Sequence, residues 1–177
     1  MLSVGSKWPK FRVKACVGIE PDCLTEITNL SYEGKWLVYL FYPKDFTFVC
    51  PTELAEFGRR DKDFRDRDAV LLGGSTDNEY SHLAWRQFHP QLRDLRFPLI
   101  SAQKLAADLG IIDPDEGVCL RATFIVDPEG TIQWVSVNNL NVGRNVAEVL
   151  RVLDAVQSNE LTPCNWNPGD PYLKVAG

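Results

Sequence analysis

The sequence predicts an α/β domain with a central mixed sheet and helices on both faces, and three observations carry that reading. Residues 36–42, W-L-V-Y-L-F-Y, are an unbroken apolar and aromatic run of the kind that forms a strand covered on both sides. Residues 121–137 hold two β-rich segments around Asp127-Pro128-Glu129-Gly130, the signature of an antiparallel hairpin. Residues 142–156 place Val146, Val149, Leu150, Leu153 and Val156 on one helical face, as a helix covering a sheet would. The element order strand, helix, strand, helix, hairpin, helix completes the argument.

Taken in order, residues 7–16 alternate Trp8, Phe11, Val13 and Ala15 with basic side chains, which reads as an edge strand opened by Pro9. Residues 18–34 read as a polar connection with a short strand near 26–30, and Cys16 and Cys23 as packing or loop thiols. Pro43 ends the 36–42 strand, and a loop leads to a helix over 51–64 that opens with Pro51 and an acid, Glu53, in its first turn. The alternating charges of R-R-D-K-D-F-R-D-R-D suit a solvated helix face.

Residues 69–76 form a second buried strand whose Gly73-Gly74 lacks the lysine of a phosphate loop. Asp77 or Asn78 caps a helix carrying His82, Trp85 and Phe88. Neither His82 nor His89 has a triad arrangement nearby, so both read as ordinary polar positions. A polar link, a short strand at 98–101 and helical turns stopped by Gly110 follow. The tail 161–177, rich in proline and glycine, is expected to be an extended, mobile arm on a domain spanning 1–160.

Composition narrows the function. The 177 residues are 45% hydrophobic, enough for one domain with a sizeable core. A net charge of −5 with no basic block argues against nucleic acid as the main partner. No apolar run approaches the roughly eighteen residues of a membrane span, and the first residues lack a signal-peptide core, so a cytoplasmic location is expected. The five cysteines, at 16, 23, 50, 119 and 164, show neither C-x-x-C nor a tight Cys/His cluster, which disfavours zinc and thioredoxin-type dithiol chemistry. An odd count suits reduced thiols.

Cys50 falls at the mouth of the 51–64 helix, where unpaired N–H groups and the positive dipole end favour thiolate over thiol. Thr47, three residues earlier, is near enough to donate its hydroxyl proton to the sulfur, and the Pro43 ring can wall the site against water. From the residues alone, Cys50 is either this nucleophile or a buried packing cysteine.

Pro43-x-x-x-Thr47-x-x-Cys50, set inside F-Y-P-K-D-F-T-F-V-C-P-T-E, resembles the active-site motif of peroxiredoxins, and the fuller match is similar to their typical two-cysteine, alkyl hydroperoxide reductase C branch. N-E-Y-S-H-L-A-W and R-A-T-F-I-V-D-P resemble further segments of that family, and the likeness covers nearly the whole chain. It implies a thioredoxin-like fold, with Cys50 as the peroxidatic cysteine and Thr47 and Pro43 as its companions. It brings Arg121, which read alone is as well a surface cation, beside Cys50, where a guanidinium stabilises the thiolate and the charge building on a peroxide oxygen. It makes Trp85 a wall residue and Arg144, in N-V-G-R-N-V, a residue near the site. Glu53 reads either as a helix-start acid or as part of an active-site hydrogen-bond network.

The tail resembles the family's V-C-P-x-x-W-x-P-G arm, in which the resolving cysteine lies four residues before the tryptophan. Here that place is Thr162, and Cys164 stands two residues before Trp166. Cys164 is thus the resolving candidate at an altered spacing, with a one-cysteine cycle as the alternative. A non-enzymatic redox sensor or holdase is a reading of a different class. The resemblance implies a hydroperoxide substrate (hydrogen peroxide, organic hydroperoxides, peroxynitrite) and an external dithiol reductant, thioredoxin-like or AhpF/AhpD-like. It further implies homodimers in which Cys50 meets Cys164 of the partner subunit, joined as a ring of five dimers. No metal or organic cofactor is required. The G-G-L-G insertion and C-terminal Y-F of the oxidation-sensitive branch are missing, which implies resistance to overoxidation.

Overall fold

The computed structural model describes residues 1–174. The chain divides into two compact units, Met1–Arg144 and Asn145–Gly177. The first contains strands β1 (Arg12–Cys16), β2 (Leu24–Thr28), β3 (Trp36–Phe41), β4 (Ala69–Ser75), β5 (Leu99–Ser101), β6 (Arg121–Val126) and β7 (Ile132–Asn138). Its helices are α1 (Val49–Arg59), α2 (Asp61–Arg65), α3 (Glu79–Phe88) and α4 (Gln103–Leu109). The strands form one mixed sheet in the order β2-β1-β5-β4-β3-β6-β7. β3 is central, parallel to β4 and antiparallel to β6.

The period-2 alternation of a strand sorts β3 onto two cores. Leu37, Tyr39 and Phe41 join Phe124 of β6 and Leu105 and Leu109 of α4 in one apolar cluster. Trp8 closes that cluster, stacked 4.1 Å from Tyr39 and edge-on to Phe124 at 5.3 Å. Val38 and Leu40, fully buried, point to the opposite face. That face belongs to α1, which packs close at Gly73: a Cβ there would stand 2.7 Å from Leu99 and 3.3 Å from Leu54 of α1. Leu40 pairs with Thr123, so Thr123 and Arg121, two residues along, also face α1. The strand register thereby aims Arg121 at the start of α1.

Several expected boundaries move. The first strand is not an edge: β1 lies between β2 and β5, paired with β2 along all of its length, and β2 forms the edge instead. The expected 51–64 helix is two helices, broken at Arg60 (φ −96°, ψ 7°). Within the charged run, Asp61 and Phe64 are buried rather than solvated. Asn78, not Asp77, caps α3, its side chain accepting from the Tyr80 and Ser81 amides.

The second unit opens with α5 (Val146–Ser158), capped by the Asn145 side chain and later than the expected start at 142. Residues 142–144 stay outside because the Arg144 amide donates to Glu53 Oε1 at 2.9 Å instead of entering a helix. Of the tail expected to be extended, residues 161–173 fold on themselves, and 175–177 lie outside the described residues. Leu173 N–H donates to Leu161 C=O (2.8 Å), Trp166 donates from Nε1 to Asp170 C=O (3.0 Å), and Trp166 stacks on Tyr172 at 5.6 Å. Among the described residues no helix is long and apolar enough to cross a membrane.

Candidate active site

After β3 the chain passes Tyr42 and Pro43, turns at Phe46 with a left-handed φ of 55°, and enters α1 at Val49. Cys50 is the second residue of α1 and fully buried. No side chain caps this helix start, so its first N–H groups and dipole are left to act on what lies before them.

The sulfur meets a guanidinium. Arg121 Nη1 donates to Cys50 Sγ at 3.4 Å and to Glu53 Oε2 at 2.7 Å, while its Nε donates to Leu140 C=O at 2.7 Å. Glu53 lies one helical turn after Cys50, on the same side of α1. It also receives Arg144, whose Nε and Nη2 each donate to one carboxylate oxygen at 2.9 Å. Arg144 Nη1 donates to Phe41 C=O (3.0 Å) and Ala122 C=O (3.2 Å), tying the group to β3 and β6. All three charged side chains are only 3–4% exposed. Buried charge is costly unless paired, and here two cations share one carboxylate. Two cations to one carboxylate leave a surplus positive charge, and Arg121 sets it against the Cys50 sulfur.

A cleft of about 200 Å³ lies beside this group, lined among others by Pro43, Thr47, Phe48, Val118, Arg121 and Asn141. Arg121 thus lines the cleft and touches the sulfur. Pro43 is buried and lines the cleft. The Thr47 hydroxyl does not donate to Cys50: the turn at Phe46 brings it back to donate to Lys44 C=O at 2.9 Å. Its lone pairs remain as acceptors at the cleft. Trp85, fully buried, packs on Tyr42 (5.8 Å) and Phe46 (6.2 Å), and so walls the loop rather than lining the cleft.

One part of the site was not expected. His82 is not an ordinary polar position but is fully buried, with Nδ1 2.8 Å from Asp45 Oδ2 and Nε2 3.1 Å from Ile100 C=O. Asp45 also accepts from Tyr42 Oη (2.9 Å) and Ser81 Oγ (3.0 Å), and its amide donates to Asp77 (2.9 Å). Burial first, then the Asp45 carboxylate, holds the Tyr42 phenol well above its usual range, so it remains a donor. The network pins the loop before Cys50 to α3. Its partners are far apart in sequence, and D-F-T-F and S-H-L-A-W carry no local sign that they meet.

Cys164 is exposed, whereas the other four cysteines are buried, and all five are free thiols. It sits in the second unit, one residue into the turn closed by Trp166 N–H donating to Pro163 C=O at 3.2 Å. Among the described residues, no group of three or more His, Cys, Asp or Glu is placed to hold a metal ion.

Residues 4–135 match the AhpC/TSA family. The alkyl hydroperoxide reductase C of Mycolicibacterium smegmatis is 50% identical, over 99% of this chain and 95% of that protein. The solved AhpC of Mycobacterium tuberculosis superimposes with a TM-score of 0.86 at 46% identity, over 94% of this chain and 99% of that one. The reduced 2-Cys peroxiredoxin of Plasmodium vivax does so with a TM-score of 0.91 at 33% identity, over 98% and 94% respectively.

Proposed function

The chain belongs to the AhpC/TSA family, and from that premise we propose how its own residues reduce a hydroperoxide. It is an enzyme, a thiol peroxidase of thioredoxin-like fold. The observation that carries the residue assignment is the single Arg121 nitrogen shared between Cys50 Sγ and Glu53.

In the proposed cycle the Cys50 sulfur attacks the terminal peroxide oxygen. The O–O bond breaks, water or an alcohol leaves, and Cys50 becomes a sulfenic acid. Arg121 donates toward the oxygen on which charge collects. Thr47, its own proton given to Lys44 C=O, accepts from the peroxide O–H and so orients it, with Pro43 as the wall. Glu53 and Arg144 hold Arg121 in place. The Cys164 thiol then condenses with the sulfenic acid to a disulfide, releasing water, and an external dithiol, thioredoxin-like or AhpF/AhpD-like, exchanges it away. The exposure of Cys164 supports its part.

The reading includes homodimers joined as a ring of five, in which Cys50 pairs with Cys164 of the partner subunit. A cluster of exposed aromatic side chains around the Cys50 loop supports an interface there: Phe48 is 92% exposed, and Phe46, itself exposed, lies 5.9 Å from exposed Phe88. A cytoplasmic site of action belongs to the same reading, since an odd number of cysteines suits a reducing compartment.

Substitution of Cys50 by Ser tests the proposal. Loss of peroxide consumption by a folded variant is expected. Consumption at the wild-type rate would overturn the assignment of Cys50 as the peroxidatic residue.

A further inference from the structure

Away from the catalytic cysteine, Cys16 at the end of β1 and Cys23 just before β2 place their sulfurs 3.6 Å apart. We propose that Cys16 and Cys23 are a second redox site, a buried dithiol that a hydroperoxide closes to an intramolecular disulfide.

The backbone already draws the two residues together. Val17 N–H donates to Cys23 C=O at 3.0 Å, and Cys23 N–H donates to Glu20 C=O at 3.0 Å, so residues 17–23 form a closed loop with both thiols free. Gly18 permits this approach, because a Cβ at that position would stand 3.1 Å from the Cys23 Cβ. A disulfide needs its sulfurs at about 2.0 Å, and closure from the 3.6 Å contact falls to the two side chains and the loop between them. The Cys16 thiol donates to Gly18 C=O at 3.2 Å, a weak bond that is lost on closure.

The two thiols differ in access. Cys16 is fully buried, and burial pushes its thiol up to about 11, so it keeps its proton at neutral pH. Cys23 is 8% exposed at the base of an exposed loop, so a small hydroperoxide meets it first. Its sulfur takes the terminal oxygen, the O–O bond breaks, and water or an alcohol leaves behind a Cys23 sulfenic acid. Cys16 Sγ then displaces the hydroxyl, which leaves as water with the Cys16 proton. Two thiols have lost two electrons and two protons, and the peroxide bond has accepted both.

The pair is linked to α3. Arg86, almost fully buried, donates from Nη1 to Cys16 C=O at 3.2 Å, and Gln87 donates from Nε2 to Ile19 C=O at 2.8 Å. The neighbouring Trp85 is the wall of the Cys50 loop.

Peptide mapping of the wild-type protein provides the test. The protein is treated with hydrogen peroxide in excess of that needed to convert Cys50, then unfolded, alkylated and cut with trypsin, which leaves Cys16 and Cys23 on one peptide spanning 15–35. The peptide is expected two hydrogens lighter and unalkylated, and doubly alkylated after treatment with dithiothreitol. In Cys23→Ser, Cys16 is expected to remain alkylatable at the same dose. Full alkylation of the wild-type peptide, pairing of either cysteine with Cys50 or Cys164, or loss of the Cys16 label in Cys23→Ser would each overturn the proposal.

Discussion

Arg121 places one nitrogen 3.4 Å from the sulfur of Cys50, and that contact exists because strand register aims β6 at the first turn of α1. The arginine cannot turn away without abandoning Glu53 and the Leu140 carbonyl, both at 2.7 Å. The guanidinium is therefore set in place before peroxide arrives, the condition under which electrostatic stabilisation is most effective.

Arg121→Gln keeps a hydrogen-bonding side chain and removes the charge. The second-order rate constant for peroxide reduction, followed by rapid mixing, is expected to fall about 100-fold or more. Arg121→Lys is expected to recover little, because a point ammonium cannot serve sulfur, carboxylate and carbonyl together.

Glu53→Gln strips the anion from between two buried guanidinium groups. Breaking a buried ion pair from one side costs about 3–5 kcal/mol, and the urea midpoint is expected to fall accordingly. Glu53→Gln/Arg144→Met should be less damaged than the sum of the single changes, since the second removes a charge that the first leaves unpaired.

Peroxide treatment of the wild-type protein is expected to give a reducible dimer band on a denaturing gel that disappears in Cys164→Ser. That variant should retain the first, fast oxidation and lose sustained turnover with a dithiol reductant. Persistence of the band would assign resolution to another thiol.

Burial pushes the Cys119 thiol from 9.0 up to about 12, with Asp77 adding to the effect. The folded value is the raised one, so above pH 9 the unfolded chain loses this proton first. The associated stability is complete below pH 9 and is lost as pH rises toward 12, at about 1.4 kcal/mol per pH unit. Cys16, raised to about 11, acts in the same direction. Urea denaturation at about pH 8 and about pH 10.5 should show a smaller alkaline loss in Cys119→Ala than in wild type.

The sheet was legible where a buried apolar run or a turn signal marks it locally, as in β3, β4 and the β6–β7 hairpin around Asp127-Pro128-Glu129-Gly130. It was not legible at β1, whose alternating basic residues resemble an edge strand but whose second neighbour is the distant β5. In the site, the helix start places Cys50 locally, but only the family resemblance of R-A-T-F-I-V-D-P brings Arg121 to it; read alone, Arg121 is as well a surface cation and Glu53 a helix-start acid. The Thr47 hydroxyl was misassigned because its direction depends on the left-handed turn at Phe46, which nothing in F-T-F-V-C announces. The Asp45–His82 pair joins residues 37 positions apart, and a histidine one turn into an amphipathic helix gives no sign of being buried against a loop.

The most direct test of the account is to trap the first oxidised sulfur. Cys164→Ser is mixed with one equivalent of hydrogen peroxide, treated with a sulfenic-acid-specific dione and mapped by peptide mass. The account predicts the adduct on Cys50, with Arg121→Gln in the same background forming it far more slowly. An adduct on Cys16, Cys23 or Cys119 with Cys50 still reduced, or an unchanged rate in Arg121→Gln, would contradict it.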